Sequence, residues 1–300
     1  MKKFLLCSIG ATFLLSSCLK HNLALVNTPG TVISQITSND LTLSADTNSP
    51  YARTVTNFIY NGKQLSTVSS KHTFNFKQDE ILTNFTYNSS GQLKGTTISL
   101  SRGYQWLDDD ITSSVVTYSG DRISSISFYQ RNQLLNRTFT LIYENGLLKH
   151  ICDPNSIKIT YSYNDKGNNT SELDEEYDNG QPDGKQIQVT NSAFDNNVNF
   201  SSVVPLWVYF KCYSIAQSIH TINDTRFDLY VLDESLTYAP GKTNPLSTNT
   251  NGAPFVNSNS YGRQAPNPIT YSYKYDANGY PTTITAANLF YNKYVYTTNQ

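Results

Sequence analysis

The chain has 300 residues, 15% of them charged, and its 22 Lys and Arg nearly balance its 23 Asp and Glu. This balance disfavours nucleic acid as a partner, because nucleic-acid binding depends on clustered basic residues that neutralise phosphates. The 22 Tyr and the single Met, together with abundant Ser, Thr and Asn, favour strands and turns over helices.

The N-terminal segment has the three parts of a secretory signal peptide. A lysine pair follows Met1, residues 4–15 form an apolar core, and small residues precede Cys18. The core is too short to span a bilayer, which requires about 20 apolar residues. Leu15-Ser16-Ser17-Cys18 resembles the lipobox of bacterial lipoproteins. This resemblance implies cleavage before Cys18 and lipid attachment to that cysteine.

These features divide the chain into three parts. Residues 1–17 are predicted as the signal peptide, residues 18–35 as the lipidated cysteine and its tether, and residues 36–300 as one domain. Cleavage removes two lysines and no acidic residue, so the mature chain has 22 − 2 = 20 basic and 23 acidic residues, a net charge of −3. We expect a membrane partner through the lipid anchor. The expected location is the outer membrane, with the periplasmic face favoured over the cell surface.

One hairpin motif recurs along the body of the chain. Apolar and polar residues alternate in stretches such as 157–163 and 269–275, which predicts strands with one buried face. A tyrosine ends many of these strands, and Asn-Gly or a related pair then supplies the positive φ angles of a tight turn. The copies are marked by Tyr60, Tyr87, Tyr118, Tyr143, Tyr163 and Tyr275. The sequence therefore predicts an all-β fold, either a long curved antiparallel sheet or an open barrel of repeated β-hairpins.

An acidic cluster follows the fifth copy of the motif. Asp174, Glu176 and Asp178 are carboxylates at alternate positions, which is a weak pattern for calcium binding. The spacing departs from the EF-hand pattern, because Gly180 falls one place late and Lys185 stands where the closing acid belongs. We favour a solvated hairpin tip as the interpretation of this cluster.

Two segments depart from the hairpin pattern. Pro205 to His220 is predicted as one short helix with Pro205 in its first turn, and a strand is nearly as well supported. Tyr238 to Pro268 is rich in Asn, Pro, Gly and Ser, which predicts a long irregular loop. Unstructured connections of this length are uncommon in compact domains unless they bind a ligand or stay mobile.

Two cysteines remain in the body after Cys7 leaves with the signal peptide and Cys18 takes the lipid. Cys152 and Cys212 form a disulfide in one interpretation, since exported proteins allow such bonds. In the other they are small buried hydrophobic residues that never meet.

Aromatic residues are the remaining hint of a binding site. Trp106, Trp207, Tyr209 and Tyr261 are the predicted binding residues, because flat and partly polar rings suit sugars and partner proteins. For each tyrosine the alternative is packing, since alternating tyrosines also cover the face of a sheet.

The hairpin copies resemble YD repeats, the Tyr-Asp-x-x-Gly-x-Leu hairpins of Rhs and teneurin proteins, and the nearest copy is Tyr273 to Thr282. The lipobox, the hairpins, and the segments Phe194 to Phe200 and Lys242 to Pro245 together resemble a Bacteroidetes lipoprotein family of unknown function with a porin-like fold. The resemblance implies an architecture and a location. It implies no reaction.

No catalytic motif appears in the sequence. Phosphate-binding glycine loops, nucleophile elbows and metal-binding histidine pairs are missing, so we predict no catalytic residue and no cofactor. The leading hypothesis is a non-enzymatic binding or scaffold module of the cell envelope, which holds a glycan, a protein or an apolar ligand on its sheet or on the Tyr238–Pro268 loop. The alternative is an envelope hydrolase acting on glycan or peptide, with a site assembled in space rather than in sequence. A membrane-inserted pore is least favoured, because the strands look shorter than the roughly 9 to 11 residues of a lipid-facing band.

Overall fold

The computed structural model describes residues 30–40, 52–74, 77–100, 111–131, 135–203, 206–218, 240–251, 268–286 and 290–299. The predicted signal peptide, Cys18, Trp106 and Tyr261 lie outside these residues. The predictions about them therefore stay predictions.

Sixteen strands and two helices form within the described residues. The first eight strands are β1 (Gly30–Asp40), β2 (Ala52–Asn61), β3 (Gln64–Phe74), β4 (Lys77–Tyr87), β5 (Leu93–Leu100), β6 (Ile111–Ser119), β7 (Arg122–Gln130) and β8 (Leu135–Glu144). The next four are β9 (Leu147–Asp153), β10 (Ile157–Tyr163), β11 (Asn169–Asp178) and β12 (Gln181–Phe194). The helices α1 (Phe200–Val203) and α2 (Trp207–Ser218) follow, and then β13 (Pro245–Asn251), β14 (Ile269–Tyr275), β15 (Pro281–Ala286) and β16 (Phe290–Asn299).

The strands form a closed antiparallel barrel. Each strand pairs with its neighbours in chain order, and β1 pairs with β16 to close the ring. The all-β prediction is confirmed, and closure removes the free edges that a curved sheet would leave. The wall begins at Gly30, inside the segment 18–35 that the sequence assigns to the tether.

The repeated motif encodes a bulged hairpin. The turn glycines have positive φ angles, from 58° at Gly62 to 87° at Gly146. Beside each turn the pairing register shifts at the tyrosine of the motif, as at Tyr60 and Tyr275, and the other four copies do the same. Such a bulge adds one residue to one strand and increases its twist, which helps a sheet to curl and close.

The two faces of the wall differ in polarity. Lumen-facing positions are apolar and buried, for example Phe128 and Phe139 at 0% exposure. Outward positions are mostly Ser, Thr, Asn, Gln and Lys, and among the described residues only five large hydrophobic side chains are exposed. These are Ile59, Val115, Leu135, Ile142 and Val295. The described outer surface of the barrel is therefore mostly polar.

The strands are longer than the sequence predicted. β1 to β4 have 10 or 11 residues each, which is long enough for a membrane-spanning strand. Strand length therefore gives no argument against a pore. The sequence underestimated the strands because backbone pairing continues beyond the residues that alternate between apolar and polar. No helix among the described residues is long and apolar enough to cross a membrane.

The predictions for the two irregular segments had different outcomes. The helix predicted within Pro205 to His220 is confirmed as α2. The loop predicted over Tyr238 to Pro268 is wrong at Pro245–Asn251, which forms β13 and pairs with β12 and β14. After Pro245 and Leu246 this strand contains only Ser, Thr and Asn, so it has no apolar alternation. Its neighbours fix it through backbone hydrogen bonds.

Candidate functional site

The predicted binding residues Trp207 and Tyr209 lie on α2, inside the barrel. Their exposed fractions are 1% and 0%, so the prediction that they are surface anchors is wrong. Most of the α2 side chains are buried, whichever side of the helix they lie on, as expected of a helix that is enclosed by protein. An apolar segment alone does not reveal whether it lies on a surface or inside a ring of strands.

One side of α2 packs against an aromatic wall, which we define as Phe58, Phe85 and Phe128 of strands β2, β4 and β7. The ring of Phe210 lies 6.4 Å from that of Phe58 and 6.1 Å from that of Phe85. Tyr209 lies 5.7 Å from Phe128. These offset and edge contacts add to the area that the rings bury.

The hydroxyl of Tyr209 is satisfied within this apolar region. Its oxygen lies 2.7 Å from the hydroxyl of Thr96 on β5 and 3.5 Å from that of Ser114 on β6. Burial raises the pKa of Tyr209 to about 12. The helix is thereby fixed against strands β5 and β6 by polar as well as apolar contacts.

The opposite side of α2 faces a polar wall, which we define as Tyr161, Glu172 and Asp174 of strands β10 and β11. Lys211 of α2 donates to Glu172 at 2.9 Å, and the two side chains are only 9% and 8% exposed. Asp174 is two residues further along the same strand and on the same face. Burial and the neighbouring Glu172 raise the pKa of Asp174 well above its usual range, and Lys211 opposes this shift.

Within the described part of the chain, three polar atoms at the contact between α2 and the polar wall are shielded from solvent and have no hydrogen-bond partner. They are the Tyr161 hydroxyl, Asp174 Oδ1 and Trp207 Nε1, and the rings of Tyr161 and Trp207 are 6.4 Å apart. Each buried, unpaired polar group costs roughly 1–3 kcal/mol. The sequence analysis did not identify this wall, and its only signal was Lys211 in an otherwise apolar segment.

The tyrosines of the hairpin motif hold neighbouring hairpins together. The Tyr60 hydroxyl donates to the carbonyl of Ile33 at 2.9 Å. Equivalent bonds link Tyr87 to Leu65, Tyr163 to Leu148, Tyr273 to Pro245 and Tyr296 to Pro281, and the Tyr118 hydroxyl accepts from the amide of Leu93. The sequence analysis left packing as the alternative to ligand binding for each tyrosine. The structure shows packing for these repeat tyrosines.

The Tyr143 copy differs from the others. Its hydroxyl is shielded from solvent without a partner, and the guanidinium of Arg122 lies 5.4 Å from its ring centroid. Tyr143 therefore provides a natural comparison for the bonded copies.

The two segments that carried the family resemblance meet in a polar cap at one end of the barrel. Asp195 accepts hydrogen bonds from the amide and the side chain of Asn244 and from the Tyr275 hydroxyl. Asn199 caps α1 by accepting from the amide of Ser201 at 2.7 Å, and its side chain also donates to the carbonyl of Thr243. These motifs thus hold the chain where it leaves the wall to enter the lumen.

The weak calcium candidates Asp174, Glu176 and Asp178 do not form a metal site. Asp174 faces the lumen, Glu176 accepts from Lys185 at 2.7 Å, and Asp178 accepts from Asn179. In the part of the chain that the structure describes, no three His, Cys, Asp or Glu side chains are placed to hold a metal ion. The hairpin tip is at Asn179 and Gly180, so Asp174 is not part of it.

The candidate disulfide does not form. Cys152 and Cys212 are both free thiols, because Cys152 is on the outward face of β9 whereas Cys212 is buried on α2. Burial raises the pKa of both thiols.

The two histidines that the structure describes are structural. His72 contacts the Thr54 hydroxyl at 3.0 Å, and His150 contacts that of Thr160 at 3.1 Å. Both contacts join neighbouring strands.

Comparison with protein-family models and with curated protein sequences finds no match. Among solved structures, the chain is similar to a porin-like protein from Bacteroides uniformis, with 14% identity, a TM-score of 0.51, and coverage of 90% of this chain and 98% of that one. This similarity shows a shared barrel fold. The structure of TcdB2-TccC3-TEV is 10% identical over 78% of this chain and 15% of that one, with a TM-score of 0.23, which is too low to support an argument.

Proposed function

We propose that the protein is a cell-envelope lipoprotein whose barrel acts as a non-enzymatic binding or scaffold module. The observation that carries this proposal is the distribution of polarity. Helix α2 is buried among apolar side chains inside the barrel, and the described outer surface is polar. This arrangement is the reverse of a porin, which places its apolar residues outside and its polar residues around a water-filled channel.

The filled lumen supports a scaffold in particular. The repeat tyrosines and both described binding candidates are used internally, so neither set offers a ligand site on the described surface. Trp106 and Tyr261 remain the candidates for binding a glycan or a protein. No contact among the described residues favours the hydrolase alternative.

The test of the polarity argument uses the mature body without residues 1–18. We expect this protein to stay monodisperse in buffer without detergent and to leave the conductance of planar lipid bilayers unchanged. Its circular dichroism spectrum is expected to be dominated by β-structure. A need for detergent, or stepwise conductance, would contradict the proposal and favour a pore.

The membrane part of the proposal depends on Cys18 and has a separate test. The full-length protein, expressed in a bacterium that is fed a clickable palmitate analogue, is expected to incorporate the label and to sediment with membranes. Cys18→Ala is expected to lose the label, and Cys152→Ala is the matched control that keeps it. Full labelling of Cys18→Ala would exclude lipid attachment at this residue.

A further inference from the structure

The first strand of the barrel is close in sequence to the proposed lipid anchor. Strand β1 begins at Gly30, which is 30 − 18 = 12 residues after Cys18. A flexible chain of this length spans about 19 Å on average and about 42 Å when fully extended. A ring of 16 strands, spaced by about 4.8 Å and tilted by about 40°, is about 30 Å across. The average span of the tether is shorter than this width, so an anchor at Cys18 keeps the β1 side of the wall nearest to the membrane.

The wall around β1 has an excess of basic residues. We define the basic sector as strands β16, β1, β2 and β3 with the turn between β2 and β3. Its described residues include four basic side chains and one acid, a difference of 4 − 1 = +3. They are Arg53, Lys63, Lys71, Lys293 and Asp40. Lys63 and Lys293 are exposed. The side chain of Lys71 is 45% exposed and lies 3.8 Å from Glu80 of β4.

The opposite side of the ring has the reverse charge. β9 is eight strands away from β1 in either direction around the ring, so β8 to β11 lie across the lumen from the basic sector. We define these strands and their turns, residues 135–178, as the acidic sector. It contains 4 basic and 8 acidic side chains, a difference of 4 − 8 = −4. Lys211 of α2 offsets one of the acids, Glu172, and the sector stays negative.

We propose that the outward face of the basic sector rests against the anionic headgroups of the membrane that holds the lipid anchor, with the acidic sector turned away from it. This inference rests on the lipid anchor of the proposed function. An anionic lipid surface attracts nearby basic residues, by about fivefold in partitioning for each lysine. The attraction acts only over about 8 Å at physiological salt, and the tether holds the barrel close enough for it to act. Tether and charge therefore select the same side of the barrel.

The consequence is a barrel that lies on its side. A porin has its axis across the bilayer, whereas this barrel has its axis along the membrane surface. The acidic sector is then the part of the described wall that is most accessible to a partner in solution.

Two positions at the same end of the barrel distinguish this arrangement from an upright one. Strands β3 and β9 run in the same direction, and Thr73 and Cys152 are their second-last residues. Cys152 is partly exposed in the acidic sector, whereas Cys212 is fully buried and stays unlabelled. A Thr73→Cys variant that also carries Cys152→Ala provides the label in the basic sector.

The experiment measures how close each label lies to lipid headgroups. The unmodified protein and the variant are purified in their lipidated form and labelled with bimane. They are reconstituted into vesicles of equimolar phosphatidylcholine and phosphatidylglycerol, with or without lipid that carries a nitroxide quencher on its headgroup. Fluorescence is measured on protein that floats with the vesicles. We expect the nitroxide to quench the label at position 73 and to leave the label at Cys152 unquenched.

Charge variants test the cause of this difference. Lys63→Gln combined with Lys293→Gln is expected to weaken the attraction about 25-fold, so the quenching difference is expected to disappear. Lys149→Gln combined with Lys158→Gln removes the same charge from the acidic sector and is the matched control that keeps the difference. Vesicles of phosphatidylcholine alone are expected to give no difference for any variant.

Three results would overturn the inference. Equal quenching at the two positions of the unmodified charge background would indicate an upright barrel. Stronger quenching at Cys152 would indicate the reverse orientation, and a difference that survives in the Lys63→Gln and Lys293→Gln variant would exclude charge as its cause. Protein that does not float with the vesicles would contradict the lipid anchor itself, which is the failure of the proposed function.

Discussion

The two sides of the lumen hold the same helix by different means. The aromatic wall of Phe58, Phe85 and Phe128 contacts α2 through rings. The polar wall of Tyr161, Glu172 and Asp174 contacts it through one buried ion pair and leaves three polar atoms without partners. The first wall gains free energy from every contact, whereas the second has to offset the cost of removing charges from water.

The two walls therefore contribute differently to the same interface, one to stability and the other to the orientation of α2. Apolar packing supplies stability and tolerates small shifts of the helix. An ion pair tolerates few arrangements, so the Lys211–Glu172 pair fixes the rotation and the depth of α2. Variants on the two walls are therefore expected to differ in how readily a second substitution restores them.

The largest effect is expected on the aromatic wall. Phe128→Ala removes a fully buried ring that contacts Tyr209 and Tyr213 of the helix, and large-to-small substitutions of this kind cost about 3–5 kcal/mol. Urea unfolding followed by circular dichroism measures the loss. Val115→Ala on the outer surface is the control, with an expected change within about 0.5 kcal/mol. Similar losses in both variants would mean that the lumen is not the core.

The next effect is expected on the polar wall. Lys211→Met leaves Glu172 buried beside Asp174 without its cation, and breaking a buried ion pair costs about 3–5 kcal/mol. The double variant Lys211→Met with Glu172→Gln is expected to recover most of this loss, because it removes the uncompensated charge. No aromatic-wall variant has a comparable rescue. Equal stability of the single and double variants would show that the pair does not hold the helix.

A smaller effect is expected between hairpins. Tyr163→Phe removes the donor to the Leu148 carbonyl, and the loss is expected to be about 1 kcal/mol. Tyr143→Phe is the matched comparison, because it removes a buried hydroxyl that has no partner, and we expect it to be neutral or stabilising. Thermal unfolding of the two variants side by side measures the difference. Destabilisation of equal size would show that the bonds between hairpins contribute nothing.

The last effect differs from the others because it depends on pH. Because the pKa of Asp174 is raised in the folded protein, its contribution to stability is fully present below the unfolded pKa of about 4 and is lost as pH rises towards the folded pKa. Asp174→Asn cannot titrate, so it is expected to be more stable than the unmodified protein at pH 7. The advantage is expected to disappear near pH 4. A pH-independent difference, measured by urea unfolding across this range, would contradict the shift.

The local structure of the barrel was predictable because it depends on neighbouring residues. Gly62 follows Asn61 in a turn that requires a positive φ angle, and the alternation in 157–163 places Ile157, Ile159 and Tyr161 on one face. For the segment that forms α2, the sequence supported a helix and a strand almost equally. Strand β13 could not be predicted, because a polar strand has no alternation and is fixed by its neighbours.

Most of the candidate site could not be predicted from the sequence. Trp207 and Tyr209 were identified as important aromatic residues, but on the surface rather than in the core. Asp174 was assigned to an exposed tip together with the other acids of its cluster. Its burial beside Glu172 and Lys211 depends on the position of the turn and on a helix from another part of the chain.

The hairpins and their tight turns follow from local sequence, since each depends on contacts within a few residues along the chain. Closure of the sheet and burial of α2 inside it depend on contacts between distant parts of the chain. Closure depends on pairing between β1 and β16, where Ser38 bonds to Asn292 across 254 positions of sequence. Such a pairing leaves no local pattern in either strand, because the same alternation suits an open sheet and a closed barrel equally well.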